Sequence, residues 1–378
     1  MFDFSSFLSN KAFITEDHHV YTYADLLGLS ERFSEHLVPR SLIFIGCENS
    51  LESIVAYVSC LRSGVVPLLL SRDVPDETLY HLEAIYHPRY CWFPSRRDLL
   101  VKGKEKYSLG GYSLIQYDGD SPVLPEGLAL LLTTSGSTGS PKLVRLSHDN
   151  LKSNACSIIE YLKITSSEKA ITSLPMYYSY GLSVLNSHLL AGATLLLTDK
   201  SYVQREFWKF VLEEKATSFA GVPFTYEILK KMRFEKFLPS SVKVMTQAGG
   251  KLNSSLIKYF SEYARLHDIR FYVMYGQTEA TARMSYLPAE YTLNKVGSVG
   301  VAIPGGHFSL IDEDGMRIVS PNVEGELVYE GSNVFWGYAE SLDDLFKGDE
   351  NKGILYTGDL AYVDSEGFYY ISGRKKRF

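Results

Sequence analysis

Leu131-Leu132-Thr133-Thr134-Ser135-Gly136-Ser137-Thr138-Gly139-Ser140-Pro141-Lys142 decides how this chain is read. An apolar run suited to a buried strand passes directly into a loop of hydroxyls and glycines that closes on a lysine. Gly136 and Gly139 permit positive φ and let the backbone approach an anion with no side chain in the way. Successive amides in such a loop form an anion-binding nest. Thr134, Ser135, Ser137 and Thr138 add hydroxyl donors, and Lys142 adds a point charge. The spacing is not G-x-x-x-x-G-K-[ST], so this is not a Walker loop. A flexible Ser/Gly linker shares the composition, but a linker rarely follows a buried strand so directly or ends in Pro-Lys.

Outward from the loop the chain alternates helix and strand. Tyr21 to Leu27 opens a helix, with Thr22 as N-cap and Asp25 at the third helical position, a variant of the capping box. Leu42 to Gly46 reads as a buried strand, and Leu51 to Gly64 as a helix with Ile54, Val55, Val58 and Leu61 on one stripe. Val65 to Leu70 is the next strand. Strand, helix, strand at this spacing predicts a parallel sheet. The same rhythm resumes from Ala129 to about Leu287, with strands expected at Ala129–Thr133, Lys169–Leu174, Ala193–Thr198, Ser218–Gly221, Val242–Thr246 and Arg270–Met274. Beyond Glu290 the pattern changes to short alternating segments, such as Phe308–Ile311, Gly325–Tyr329 and Phe368–Ile371, separated by Asp314-Gly315 and Glu366-Gly367. The expected fold class is α/β, with parallel-rich sheets flanked by helices in two related subdomains (1–165 and 166–290). A small distorted β-barrel follows over 291–372.

The bulk properties exclude several classes. A chain of 378 residues that is 45% hydrophobic and 22% charged can bury a sizeable core in two or three units. The formal charge of -6 leaves no basic footprint for nucleic acid, apart from Arg374 to Arg377 at the very end. Cys47, Cys60, Cys91 and Cys156 are scattered without C-x-x-C spacing, which points to a reducing compartment and away from a disulfide or zinc scaffold. The histidines form no ligand pattern. Met1 to Val20 lacks the basic and apolar regions of a secretory signal, and no apolar run approaches the ~18 residues of a membrane span. A cytoplasmic protein is expected.

The loop resembles the signature T-S-G-[ST]-T-G-x-P-K-G of the adenylate-forming superfamily, which includes acyl-CoA synthetases, peptide-synthetase adenylation domains and firefly-type luciferases. Leu143 stands where the final glycine would be. Further segments follow in the family's order. Leu174 to Leu182 is similar to the acyl-pocket segment P-[LM]-[FY]-H-x-x-G-L, with Tyr178 in place of the frequent histidine. Gln247 to Leu252 is similar to the loop beside adenine. Tyr275-Gly276-Gln277-Thr278-Glu279 matches Y-G-x-T-E, Thr357-Gly358-Asp359-Leu360 matches T-G-D-L, and Gly373-Arg374 opens the hinge motif. Any one of these has an ordinary reading as a turn, a cap or a core aromatic; their joint order does not.

The resemblance implies that a substrate carboxylate attacks the α-phosphorus of ATP, giving an acyl-AMP and pyrophosphate. It implies catalytic roles for Lys142, Thr278 and Glu279, with Thr134, Ser135, Gly136, Ser137, Thr138, Gly139 and Lys142 clamping the leaving phosphates. Thr278 would contact the α-phosphate and Glu279 would hold Mg²⁺. Gly249, Gly250, Lys251, Tyr275 and Gly276 would border the adenine, and Asp359 and Arg374 the ribose. Tyr177, Tyr178, Gly181, Val222 and Gly276 would shape the acyl pocket. No general base is needed, because a carboxylate is already ionised at neutral pH. The thiol acceptor would be coenzyme A or a phosphopantetheine carrier protein.

In the family a smaller domain follows the hinge and carries a second lysine for adenylation. This sequence ends inside the hinge motif (373–378), so residues 1–378 alone are expected to bind ATP and acid but to adenylate weakly. Between Thr172 and Thr198 there is no Asp or Glu to pair with an α-ammonium, which disfavours amino acids. Tyr177, Tyr178, Tyr180 and Phe224 suggest an aromatic or medium apolar acid. The alternatives are an amino-acid adenylation domain and a catalytically incomplete nucleotide-binding homologue.

Overall fold

The computed structural model describes residues 1–95, 103–134 and 142–375. Helix ends form where the local chemistry asks for them. Thr22 accepts from the Asp25 amide while the Asp25 carboxylate accepts from the Thr22 amide, a reciprocal cap for the helix Tyr23–Ser34. Ser50 caps Leu51–Ser63, and that helix stops at Gly64, whose φ of 69° is a left-handed conformation that glycine adopts without strain. Ser147 and Asn150 repeat the reciprocal cap on His148–Leu162.

Among the described residues the strands form three sheets. In an eight-stranded sheet, Leu42–Cys47, Val66–Ser71, Tyr90–Pro94 and Leu128–Thr133 run parallel as expected, and antiparallel strands flank them. In a nine-stranded sheet the parallel run comprises Lys11–Ile14, Thr194–Leu196, Lys169–Ile171, Ser218–Gly221, Val244–Gln247 and Arg270–Tyr275. The all-β portion pairs as a five-stranded antiparallel sheet.

Two strands pair with partners remote in sequence. Lys11–Ile14 joins the nine-stranded sheet beside Thr194–Leu196, and Gly337–Ala339 extends the eight-stranded sheet along Leu143–Ser147. The strand expected over 169–174 ends at Ile171, where the Ser173 amide bonds back to the Ile171 carbonyl and its hydroxyl donates to Ala220 O. The chain is thereby turned toward the helix Ser179–Leu190.

The main hydrophobic cluster joins helix Leu51–Ser63, both large sheets and the five-stranded sheet. The parallel strands Leu128–Thr133, Val244–Gln247 and Arg270–Tyr275 end at the loops carrying the motifs. Open α/β sheets present ligands at these carboxyl ends.

Candidate active site

A cleft of about 510 Å³ is lined by residues of the nine-stranded and five-stranded sheets, with Thr134 entering it just past the end of Leu128–Thr133 in the eight-stranded sheet. Of the positions singled out in the sequence, it brings together Thr134, Tyr178, Gly249, Gly250, Lys251, Tyr275, Gly276, Thr278, Glu279, Asp359 and Arg374. Ser135, Gly136, Ser137, Thr138 and Gly139 lie outside the described residues.

The end that would hold a ribose is built around one carboxylate. Asp359 and Arg374 face each other across the antiparallel pair Ile354–Val363 and Tyr369–Arg374, with Arg374 Nε 3.8 Å from Asp359 Oδ1. Asp359 Oδ2 accepts from the Tyr275 hydroxyl at 2.5 Å and from Gln277 Nε2 at 2.9 Å. Gln277 Nε2 also reaches the Thr357 carbonyl at 3.1 Å. Burial and the adjoining Asp359 carboxylate hold the Tyr275 phenol well above its ordinary pKa, so it stays a donor.

Beside Tyr275 the backbone is bared. Gly249 has a φ of 80°, and a Cβ there would meet the Tyr178 hydroxyl at 2.5 Å and Val222 Cγ1 at 3.2 Å. Gly276 packs so tightly on the next turn that a Cβ would overlap the Ala282 carbonyl oxygen. That turn is a γ-turn centred on Thr281, with φ 66° and ψ -53°, closed by the Ala282 amide on Ala280 O at 2.7 Å. A β-branched residue there is strained by an order of ~1–3 kcal/mol. The surroundings fix it: Thr281 Oγ1 donates to Asn333 O at 2.7 Å, and Asn333 Nδ2 to Ala280 O at 2.8 Å.

Thr278 and Glu279 stand on the short 3₁₀ turn before it. The Thr278 hydroxyl lies 3.1 Å from Ser179 Oγ. Glu279 Oε1 accepts from the Tyr338 hydroxyl at 2.7 Å. No group of three or more metal-binding side chains occurs among the described residues. A hard cation at Glu279 would therefore draw its other ligands from phosphate and water, the usual habit of Mg²⁺.

Four predicted residues do not line the cleft. Lys142 Nζ pairs with Glu340 Oε1 at 2.7 Å and lies 5.7 Å from the centre of the Tyr338 ring. Tyr177 packs against the main core. Gly181 lets the helix Ser179–Leu190 press on the Pro175 carbonyl and borders a separate small cavity. Val222 stands behind Gly249, as the N-cap of Pro223–Met232. Phe224, also read as pocket wall, is exposed.

Sequence reasoning missed Gln277, Tyr338, Ser179 and Arg283. Gln277 is the variable place of Y-G-x-T-E, and Tyr338 stands on the short strand Gly337–Ala339, far in sequence from the motifs. Arg283 had a usable signal as the one charged residue between Ala280 and Leu287.

Known proteins share the sequence pattern and the fold of this chain. The family model described as AMP-binding enzyme matches residues 6–339. A 2-succinylbenzoate–CoA ligase of Bacillus cereus is 32% identical, covering 98% of this chain and 78% of its own length. The O-succinylbenzoate coenzyme A synthetase of Bacillus subtilis, solved in complex with ATP and magnesium ion, is 25% identical with a TM-score of 0.75, over 97% of this chain and 77% of that one. The inhibitor-bound N-terminal domain of FACL13 from Mycobacterium tuberculosis shares the fold at a TM-score of 0.81 and 18% identity, over 99% of this chain and 100% of that one. The chain belongs to the AMP-binding enzyme family, among its adenylate-forming acid–CoA ligases.

Proposed function

We propose that this cleft binds ATP and a small carboxylic acid, joins them as an acyl-AMP with release of pyrophosphate, and passes the acyl group to coenzyme A. The observation that carries the reading is the convergence of Thr134, Tyr275, Thr278, Glu279, Asp359 and Arg374 on one cleft at the carboxyl ends of parallel strands. Coenzyme A is preferred to a carrier protein because the matching relatives are CoA ligases.

In this reading Asp359 Oδ1 accepts from the ribose hydroxyls, while Tyr275 and Gln277 hold Oδ2. The Tyr275 face and the bare Gly249-Gly250 backbone sandwich the adenine. The Thr278 hydroxyl donates to the α-phosphate, and Lys142 leaves Glu340 for the departing phosphates. Glu279 would hold Mg²⁺, which supplies neutralisation of the pyrophosphate charge. Most of the rate in such transfers comes from positioning and preset electrostatics. The units 1–165, 166–290 and 291–372 are proposed as the framework around the cleft, with 373–378 as the hinge. The cytoplasm is proposed as the compartment, on the strength of the free thiols Cys47, Cys60, Cys91 and Cys156 and the need for ATP. No helix among the described residues is long and apolar enough to cross a membrane.

The test is calorimetry with non-hydrolysable acyl-sulfamoyl adenosines and with AMP, beside an Asp359→Ala control. Binding that depends on the acyl group and is lost in the control supports the reading. Absence of nucleotide binding overturns it.

A further inference from the structure

The Thr278 hydroxyl has a single partner among the described residues: its Oγ1 lies 3.1 Å from Ser179 Oγ. Ser179 Oγ likewise bonds nothing else among them. Both residues line the cleft, and Ser179 is 8% exposed. Serine is common at helix starts because at the N-cap its oxygen accepts from an amide of the first turn. In the helix Ser179–Leu190 the N-cap is Tyr178, whose side chain caps nothing. Ser179 stands one place too late for the capping bond, and its hydroxyl meets Thr278 instead.

The separation of the two hydroxyls is set from several sides. Gly181 has no side chain, which lets the helix press on the Pro175 carbonyl. Ser183 lies one turn beyond Ser179 and shares its helix face. Ser183 Oγ accepts from Arg283 Nε at 3.0 Å and donates to Tyr180 O at 2.7 Å. Arg283 is itself buried; its Nη1 donates to the Tyr161 hydroxyl at 2.9 Å, and its carbonyl accepts from Asn154 Nδ2 at 2.9 Å. The segment from Thr278 to Arg283 therefore meets this one helix at both ends, Thr278 on Ser179 and Arg283 on Ser183. Between them Thr281 is fixed by its bond to the Asn333 carbonyl.

Two hydroxyls carry two protons, and the contact between them uses one. With a phosphate oxygen beside Thr278, the Thr278 proton goes to the anion, and the Ser179 proton goes to Thr278 Oγ1. A hydroxyl that accepts one hydrogen bond is a stronger donor in the next. We propose that Ser179 is a positioning residue for acyl-adenylate formation: its hydroxyl donates to Thr278 Oγ1 and so aims the Thr278 proton at the α-phosphate. The proposal rests on the nucleotide reading of the cleft and adds a residue that acts through Thr278. Tyr178 and Tyr180 flank Ser179 and line the same cleft, so the helix that walls the acyl group also holds the phosphate donor in line.

Adenosine and AMP differ by the phosphate alone, so the ratio of their Kd values reads the phosphate contact apart from base and ribose. Both ligands are titrated by calorimetry into wild type, Ser179→Ala, Thr278→Val and the double variant. Ser179→Ala should leave the adenosine Kd within about twofold of wild type and weaken AMP about 3- to 10-fold, the worth of one neutral hydrogen bond. Thr278→Val should lose at least as much of the preference for AMP. The double variant should then be no weaker than Thr278→Val alone, because the serine has no hydroxyl left to act through. Equal weakening of adenosine and AMP in Ser179→Ala, or loss of adenosine binding there, would make Ser179 a packing residue and overturn the proposal. Unchanged AMP affinity in Ser179→Ala, or strictly additive losses in the double variant, would overturn it too. Failure of the wild type to bind either ligand would instead overturn the underlying nucleotide reading.

Discussion

The Tyr275 hydroxyl donates to Asp359 Oδ2 at 2.5 Å and so ties the end of a parallel strand to the five-stranded sheet across the cleft. Gln277 adds a second bond to the same oxygen at 2.9 Å. The carboxylate is thereby aimed before any nucleotide arrives. Removing Asp359 should weaken AMP and ATP binding about 10- to 100-fold, the worth of charge-assisted bonds. Tyr275→Phe and Gln277→Leu should each cost less, about 3- to 10-fold, because the acceptor remains but loses one guide. Calorimetric Kd values for the three variants check this. An Asp359→Ala variant with unchanged Kd would remove the ribose assignment.

Glu279 presents one oxygen to Tyr338 at 2.7 Å, and in the proposed function its carboxylate holds the Mg²⁺. Adding Mg²⁺ should therefore tighten ATP binding to the wild type, and chelation should reverse the gain. Glu279→Gln should bind ATP equally with and without Mg²⁺, and adenylation by the active protein should fall on the order of 10²-fold. Tyr338→Phe should keep the Mg²⁺ effect with a smaller loss. A full Mg²⁺ effect in Glu279→Gln would place the cation elsewhere.

Lys142 is paired with Glu340 at 2.7 Å, and both side chains are about half exposed. Exposed pairs of this kind contribute ~0.2–1 kcal/mol, so ATP phosphates can displace Glu340 at little cost. Glu340→Gln should improve ATP affinity by no more than about fivefold and leave AMP affinity unchanged, since AMP lacks the outer phosphates. Lys142→Ala should do the reverse to ATP. An AMP affinity that shifts as far as ATP would show Glu340 acting on the general shape of the cleft instead.

The parts of this molecule legible in the sequence are those set by local chemistry. The Thr22–Asp25 cap, the Gly64 stop and the parallel strands around Leu42–Cys47 each follow from a few adjacent residues. Tyr275, Thr278, Glu279 and Asp359 were legible as members of ordered motifs, and they meet in one cleft. What could not be read is pairing across long separations. Nothing in Lys11–Ile14 says that Phe13 will lie beside Leu195, or in Gly337–Ala339 that Tyr338 will pair with Val144 and hold Glu279. The pairing of Lys142 was hidden for the same reason: Glu340 arrives just beyond that remote strand. Arg283 is a lone charge in an apolar stretch, and only the fold shows it tied to the helix Ser179–Leu190 through Ser183.

Two glycines with similar freedom in sequence should respond oppositely to alanine. Gly28, inside Tyr23–Ser34, has open space where a Cβ would go, so Gly28→Ala should stabilise the fold by about 0.5–1 kcal/mol. At Gly276 the same Cβ would overlap the Ala282 carbonyl. Backbone cannot rotate aside as a flexible side chain can, so Gly276→Ala should cost about 1–3 kcal/mol and displace the Thr281 turn. Denaturation midpoints give the first effect, and AMP affinity gives the second. Normal nucleotide affinity in Gly276→Ala would show that the turn does not set the cleft.

Glu48 lies where the strand Leu42–Cys47 ends, beside Asp199 of the neighbouring sheet region. Burial and the Asp199 carboxylate push its pKa up to about 7, against the Tyr112 hydroxyl bond at 2.8 Å and the Arg72 ion pair, which lower it. An unfolded glutamate titrates near ~4.3. Between those values the unfolded chain has released a proton that the folded chain retains, so the folded state binds more protons and stability falls as pH rises. The loss is complete once pH passes the folded value, and the shift sets its upper bound at roughly 4 kcal/mol. Glu48→Gln cannot titrate, so its Tm should decline less than that of the wild type between pH 5 and pH 8. Because the variant also gives up the Arg72 pair, the comparison rests on the two pH slopes and not on the absolute Tm. Parallel slopes would mean that Glu48 is already ionised at pH 5 and that Arg72 outweighs Asp199 at the seam.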